Sequence, residues 1–163
     1  MEAVHKRNAA RLRAILAARG WPGASLVGED GEEAAWLIVQ HAIGEPDFMR
    51  LSLRLLHRAV ERGEAPAWQA TMLEDRIRTL EGRPQLFATQ LEPDQEGRLR
   101  PCRTEDPDGV EERRRAVGLE PLAERLARAS REREPTPADR ERFEREHQEW
   151  LRRVGWRTEP SGA

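Results

Sequence analysis

Glycine and proline divide the first half of this chain into segments of helix length. Gly20-Trp21-Pro22 closes one segment, Gly44-Glu45-Pro46 closes the next, and Gly63 ends a third before Pro66 opens a fourth. Glycine takes a left-handed helix cap at little cost, and proline is tolerated in the first helical turn but not in the interior. Between these breaks the apolar residues recur at helical spacing. Residues from about His5 to Arg19 predict a helix with Ala9, Leu12, Ile15 and Leu16 on one stripe. The second helix, Gly31 to Ile43, is apolar around much of its circumference (Ala34, Ala35, Trp36, Leu37, Ile38, Val39), as a central helix would be. Pro46 starts a third helix carrying Phe48, Leu51, Leu55, Leu56 and Ala59. The fourth runs from about Pro66 to Leu80 and presents Ala70, Leu73, Ile77 and Leu80.

Beyond Leu80 the pattern changes. Gln85–Leu91 and Leu99–Arg103 are short segments on either side of Pro93-Asp94-Gln95-Glu96-Gly97, which predicts a β-hairpin. Asp106-Pro107 and Glu120-Pro121 each have the form of a helix start, the first helix stopping at Gly118. Residues 130–137 are polar and punctuated by proline, a linker by composition. Thr136-Pro137-Ala138-Asp139 then caps a last helix bearing Phe143, His147, Trp150, Leu151 and Val154. The expected fold is mainly α, with five or six helices packed as an orthogonal bundle and one small β-hairpin. Residues 1–129 would form the main domain, with the hairpin at about 85–103, and 130–137 would link it to an appended helix at 138–155. A flexible tail, 156–163, would follow.

The composition excludes several classes of protein. The chain has 163 residues, with 28 basic against 30 acidic, so it is no general binder of nucleic acid. No stretch approaches the roughly 20 apolar residues of a membrane span, and no apolar signal core opens the chain, so a cytoplasmic location is expected. Cys102 is the only cysteine, which rules out an internal disulfide and any multi-cysteine zinc site. Lys6 is the only lysine and tyrosine is absent, so neither a phosphate-loop lysine nor a catalytic phenol is available. The glycine patterns of nucleotide loops and of serine hydrolases are missing, and no organic cofactor is expected. His5, His41, His57 and His147 lack the spacing that sets two ligands on one helical face, so no metal is expected either.

Several strings occur in a characteristic order: Gly20-Trp21-Pro22, Trp36-Leu37-Ile38-Val39-Gln40-His41-Ala42, and Leu73-Glu74-Asp75-Arg76. Gly82-Arg83-Pro84-Gln85-Leu86-Phe87-Ala88-Thr89-Gln90 and Arg113-Arg114-Arg115-Ala116-Val117-Gly118-Leu119-Glu120-Pro121-Leu122 complete the set. Together, over about residues 8–128, they resemble a family of small, mainly helical bacterial proteins of unknown function. The resemblance implies a helical fold and supplies no reaction. It also implies a Tyr-Gly-Thr-Gln string where this chain has Phe87-Ala88-Thr89-Gln90.

Chemistry is sought among the polar residues within these strings. Ala34, Leu37, Ile38 and His41 fall on one helical face, which predicts a partly buried imidazole able to act as acid or base near neutral pH. Gln40 beside it offers amide donors and an acceptor, with Trp36 one turn earlier. Arg76, at the edge of the fourth helix's stripe, suits an anionic group or a structural ion pair. Gln85 and Gln90 would line the floor of a cleft between the central helix and the hairpin, or lie on a solvated strand face. Asp47 and Asp75 are supporting candidates. A helix-start role accounts for Asp47 and a surface pair with Arg78 accounts for Asp75. The Arg113-Arg114-Arg115 cluster follows two glutamates and predicts a solvated, self-paired face.

The preferred expectation is a small-molecule enzyme with His41 as acid/base, Arg76 holding an anionic group, and Gln40, Gln85 and Gln90 fixing polar substrate atoms. The alternative is a non-enzymatic binding or interaction module acting through its arginine-rich helices. The last helix suggests either a monomer or a homodimer formed through it.

Overall fold

In the computed structural model Gly20 takes the left-handed conformation (φ 75°) and its N–H bonds to the carbonyl of Leu16, ending the first helix as the sequence predicts. The structure describes residues 2–94, 96–132 and 140–158. Two units divide the chain, residues 1–77 and 78–163. The first holds α1 (Glu2–Arg19), α2 (Ala24–His41), α3 (Pro46–Glu61) and most of α4 (Ala67–Leu80). Ala9, Leu12 and Leu16 of α1 are buried as expected, whereas Ile15 is exposed.

α2 begins earlier than predicted and is capped from a distance. Gly23 precedes it in an extended conformation and provides no side-chain cap. The carboxylate of Glu64 accepts instead from the Ser25 backbone N–H at 3.0 Å and from the Ser25 hydroxyl at 2.8 Å. Those bonds lower the pKa of Glu64 from its ordinary value. A Cβ on Gly23 would lie 2.4 Å from the Glu64 carboxylate, so this cap requires glycine there. At Gly28 (φ 78°) the helix is interrupted and resumes.

The buried face of α2 differs from the predicted one. Glu32, Ala35, Trp36, Val39 and Gln40 point inward, while Ala34, Leu37 (43% exposed) and His41 face solvent. The cause is a polar hub. Glu32 is 2% exposed and accepts from the indole N–H of Trp21 at 2.9 Å and the amide of Gln69 at 2.8 Å. Trp36 donates to the backbone carbonyl of Gln69 at 3.0 Å and meets Trp68 edge-on, with ring centroids 5.0 Å apart. The hub therefore ties the α1–α2 turn, α2 and α4 together. No residue of α4 is exposed, so α4 holds the enclosed position expected of α2.

The second unit contains β1 (Leu91–Pro93) and β2 (Leu99–Pro101), antiparallel with Leu91 opposite Pro101. A single 3-10 turn at Pro107–Gly109 leads into α5 (Val110–Ala116), and α6 (Leu122–Glu132) and α7 (Arg140–Arg153) follow. The mainly helical class with one small hairpin is as predicted, but the described residues form seven α-helices rather than five or six. The strands are also shorter than predicted. Gln85 forms one isolated bridge to Thr104, and residues 86–90 are a loop in which Ala88 has a φ of 55°. Of the predicted linker, residues 130–132 belong to α6; the rest, and the capped start at Thr136, lie outside the described residues. Trp156, assigned to the tail by composition, is buried, and residues 159–163 lie outside the description.

Two stability predictions follow from this packing. Removing the hub acceptor by Glu32→Ala strands two buried donors, each worth about 1–3 kcal/mol, so urea unfolding should show a loss of about 2–6 kcal/mol. Ala88 is 1% exposed at a left-handed position. Ala88→Val should therefore cost at least about 2 kcal/mol, through strain and overpacking. Ala88→Gly should stay near neutral, because relief of the left-handed strain offsets glycine's greater unfolded freedom.

Candidate functional site

The last turn of a helix leaves carbonyls without helical partners and carries the negative end of the macrodipole, so it favours a cation. At the end of α2 that cation is Arg76 of α4, whose Nη1 donates to the Gln40 carbonyl at 2.9 Å. Arg76 is half-buried, and among the described residues no carboxylate pairs with it. Its Nε is buried without a hydrogen-bond partner. Gln40 is 5% exposed, and its Nε2 is likewise buried and unpaired. Two buried donors thus belong to residues joined by one hydrogen bond.

His41 follows Gln40 and lies on the surface, not on the buried face that the apolar spacing suggested, because Glu32 and Gln40 turn α2 inward on a different side. Its ring stacks on His5, with centroids 5.3 Å apart and planes inclined by 17°. α1 and α2 are each 18 residues long and joined by the short turn at residues 20–23. That ring contact sets the first turn of α1 beside the last turn of α2. The pKa of His41 is lowered from the ordinary 6.5, first by burial of part of the ring, then by the charges of Arg76 and His5.

The structure thus brings Gln40, His41 and Arg76 together in the first unit and adds His5. Trp36 is buried one turn back on α2, its indole engaged with Gln69. Asp47 is not part of this group: it is exposed in the first turn of α3 and pairs with Arg50 at 3.2 Å. Asp75 is fully buried, contrary to the surface pair expected with Arg78, because α4 has no exposed side. Arg78 donates to the Pro84 carbonyl and to Glu105, each at 2.6 Å.

Gln85 and Gln90 belong to the second unit, where their amides hold a loop. Gln85 is completely buried. Its Nε2 donates to the carbonyls of Gln90 and Cys102 at 2.9 Å each, and its Oε1 accepts from the Gln90 N–H at 2.9 Å. Every hydrogen-bonding group of that amide is used. The Gln90 Nε2 donates to the Thr89 hydroxyl at 3.2 Å. The arginine cluster corrects another expectation. Arg113 donates to the Leu86 carbonyl at 2.9 Å, and buried Arg114 donates to the carbonyls of Phe87 (2.7 Å) and Glu120 (2.8 Å). Only Arg115 of the three is exposed. The strings at residues 82–90 and 113–122 are thus bonded to each other, an arrangement that sequence patterning could not reveal because the acceptors are main-chain carbonyls.

The half-buried Cys102 thiol is pushed up to about 11 by burial and by Glu92, and at neutral pH it is a protonated thiol rather than a nucleophile. Among the described residues, no three of His, Cys, Asp and Glu gather in a group able to hold a metal ion. None of the helices described is long and apolar enough to cross a membrane.

An NMR titration of the histidine Cε1 protons should place the His41 midpoint below 6.5. Arg76→Gln removes a positive charge that favours the neutral ring, so it should move that midpoint up. The folded state binds the His41 proton more weakly than the unfolded state, so stability falls as pH drops through the ordinary imidazole range. His41→Gln should remove this part of the acid sensitivity.

A family model described as a family of unknown function (DUF6624) matches residues 1–131. The match includes every candidate residue above and ends at the last turn of α6, leaving α7 outside it. No curated protein and no solved structure matches the chain. With four fifths of its length matched, the chain belongs to this family of unknown function.

Proposed function

We propose that the protein binds a small molecule at the C-terminal end of α2 and that His41 exchanges a proton with it. The carrying observation is the pair of buried, unpaired donors, Gln40 Nε2 and Arg76 Nε. A buried donor without an acceptor costs about 1–3 kcal/mol, and native proteins keep few of them. A ligand acceptor, in place of water, would recover that cost. His41 stands at the solvent side of the same turn and is held neutral near pH 7, the state that accepts a proton. In this assignment Arg76 and Gln40 orient the ligand and His41 is the acid/base. Gln85 has no role in it, since its amide is fully engaged within its own unit.

A non-enzymatic interaction module is the second reading, and one observation favours it. Val4 and Ile15 of α1, Leu26, Val27 and Leu37 of α2, and Ile43 just beyond are all exposed large apolar residues. Such residues suit contact with another protein.

Thermal-shift screening against small carboxylates, phosphates and amides separates the two. A ligand of the proposed site should raise the melting temperature of the wild type. Arg76→Gln should weaken its binding at least 10-fold, about 1.4 kcal/mol. His41→Gln should still bind the ligand, more weakly, and lose any turnover. A screen without a single binder sensitive to Arg76 would overturn the proposal.

A further inference from the structure

We infer that the ligand class of this site is a compact oxyanion, carboxylate or phosphate, contacted by His5 as well as by His41 and Arg76. This deepens the proposal above and rests on it. The sign of the charges around His41 is the first reason. Among the described residues the groups acting on its ring are Arg76 from α4 and His5 from α1, both cationic when charged, with no carboxylate among them. The second reason is the state of Arg76. Among the described residues its one hydrogen bond goes to the neutral carbonyl of Gln40. The helix terminus behind that carbonyl carries only about half a negative charge, so much of the guanidinium charge is uncompensated. Burial also lowers the pKa of Arg76 from its ordinary value.

The third reason is the donor inventory. Arg76 Nε and Gln40 Nε2 are buried and unpaired, and each can only donate. The stacked imidazoles of His5 and His41 add ring N–H groups on the solvent side of the same turn. A set of donors with a net positive charge fits a ligand that only accepts. A metal ion would meet the Arg76 charge, and a neutral amide would leave that charge uncompensated. An anion within hydrogen-bond reach of His41 favours its protonated ring, so binding takes up a proton and tightens as pH falls through the imidazole range.

The test is an NMR titration of the histidine Cε1–H signals of the full chain, with inorganic phosphate and separately with succinate, at ionic strength held constant with chloride. The resonances of His5 and His41 should move together and saturate, and the His41 midpoint should rise on binding. His57 and His147 are internal controls, the first beside Glu74 at 3.7 Å and the second stacked on Trp150. Arg76→Gln should weaken binding at least 10-fold, with partial recovery in Arg76→Lys. His5→Gln, at a half-buried position near the start of α1, should weaken it about 3-fold or more and keeps the test open if Arg76→Gln fails to fold. Saturation by phosphate alone or by succinate alone identifies the source of the oxyanion. Equal shifts at all four histidines, or none with either anion, would overturn the inference. Binding of only neutral ligands in the thermal screen, still sensitive to Arg76, would overturn it while sparing the proposed function.

Discussion

A buried carboxylate sets the geometry of the helical unit. Glu32 accepts from Trp21 in the α1–α2 turn and from Gln69 on α4, so three parts of the chain converge on two oxygen atoms. A charge in that position is tolerable only while its donors stay in place. The requirement fixes the rotation of α2 about its axis. With Glu32 inward, Gln40 two turns later is inward as well, and His41 is turned toward solvent. The arrangement at the end of α2 is therefore a consequence of a polar contact two turns earlier.

That rotation gives the site its chemical character. One residue of α2 brings a buried amide, the next a surface imidazole, and Arg76 of α4 closes on the carbonyl between them. The imidazole's pKa is lowered because part of its ring is buried and the Arg76 guanidinium stands near it. The guanidinium has a carbonyl partner and, among the described residues, no acid. Both effects act in the same direction, toward an acceptor of negative charge. In the second unit, by contrast, Gln85, Arg113 and Arg114 each donate to main-chain carbonyls of the 86–90 segment.

The sequence made the segmentation legible because glycine and proline act locally. The breaks at Gly20, Gly44 and Gly63 fall where the helices end, and the apolar stripe of α1 is the buried one except at Ile15. The face of α2 was not legible. Hydrophobic spacing favours Ala34, Leu37 and Ile38, whereas the true face contains a glutamate and a glutamine that an apolar template counts as solvent-facing. Asp75 and Arg114 were misplaced for the same reason: each is a charged residue that the fold buries. The 86–90 segment has the composition of a strand, yet side chains bonded to its carbonyls hold it as a loop. Of the site, Gln40, His41 and Arg76 could be named from their strings. His5 could not, because its partnership is a tertiary contact between the start of α1 and the end of α2 that no local spacing encodes.

The central claim is that the donors at the end of α2 form a receptor for an oxyanion. Crystals of the full chain soaked in selenate test it most directly, because the selenium position is read from anomalous scattering. A peak within hydrogen-bond reach of the Arg76 guanidinium and the Gln40 amide, lost in Arg76→Gln crystals, is the predicted result. An empty site at the end of α2, with selenate bound only elsewhere on the surface, would contradict it.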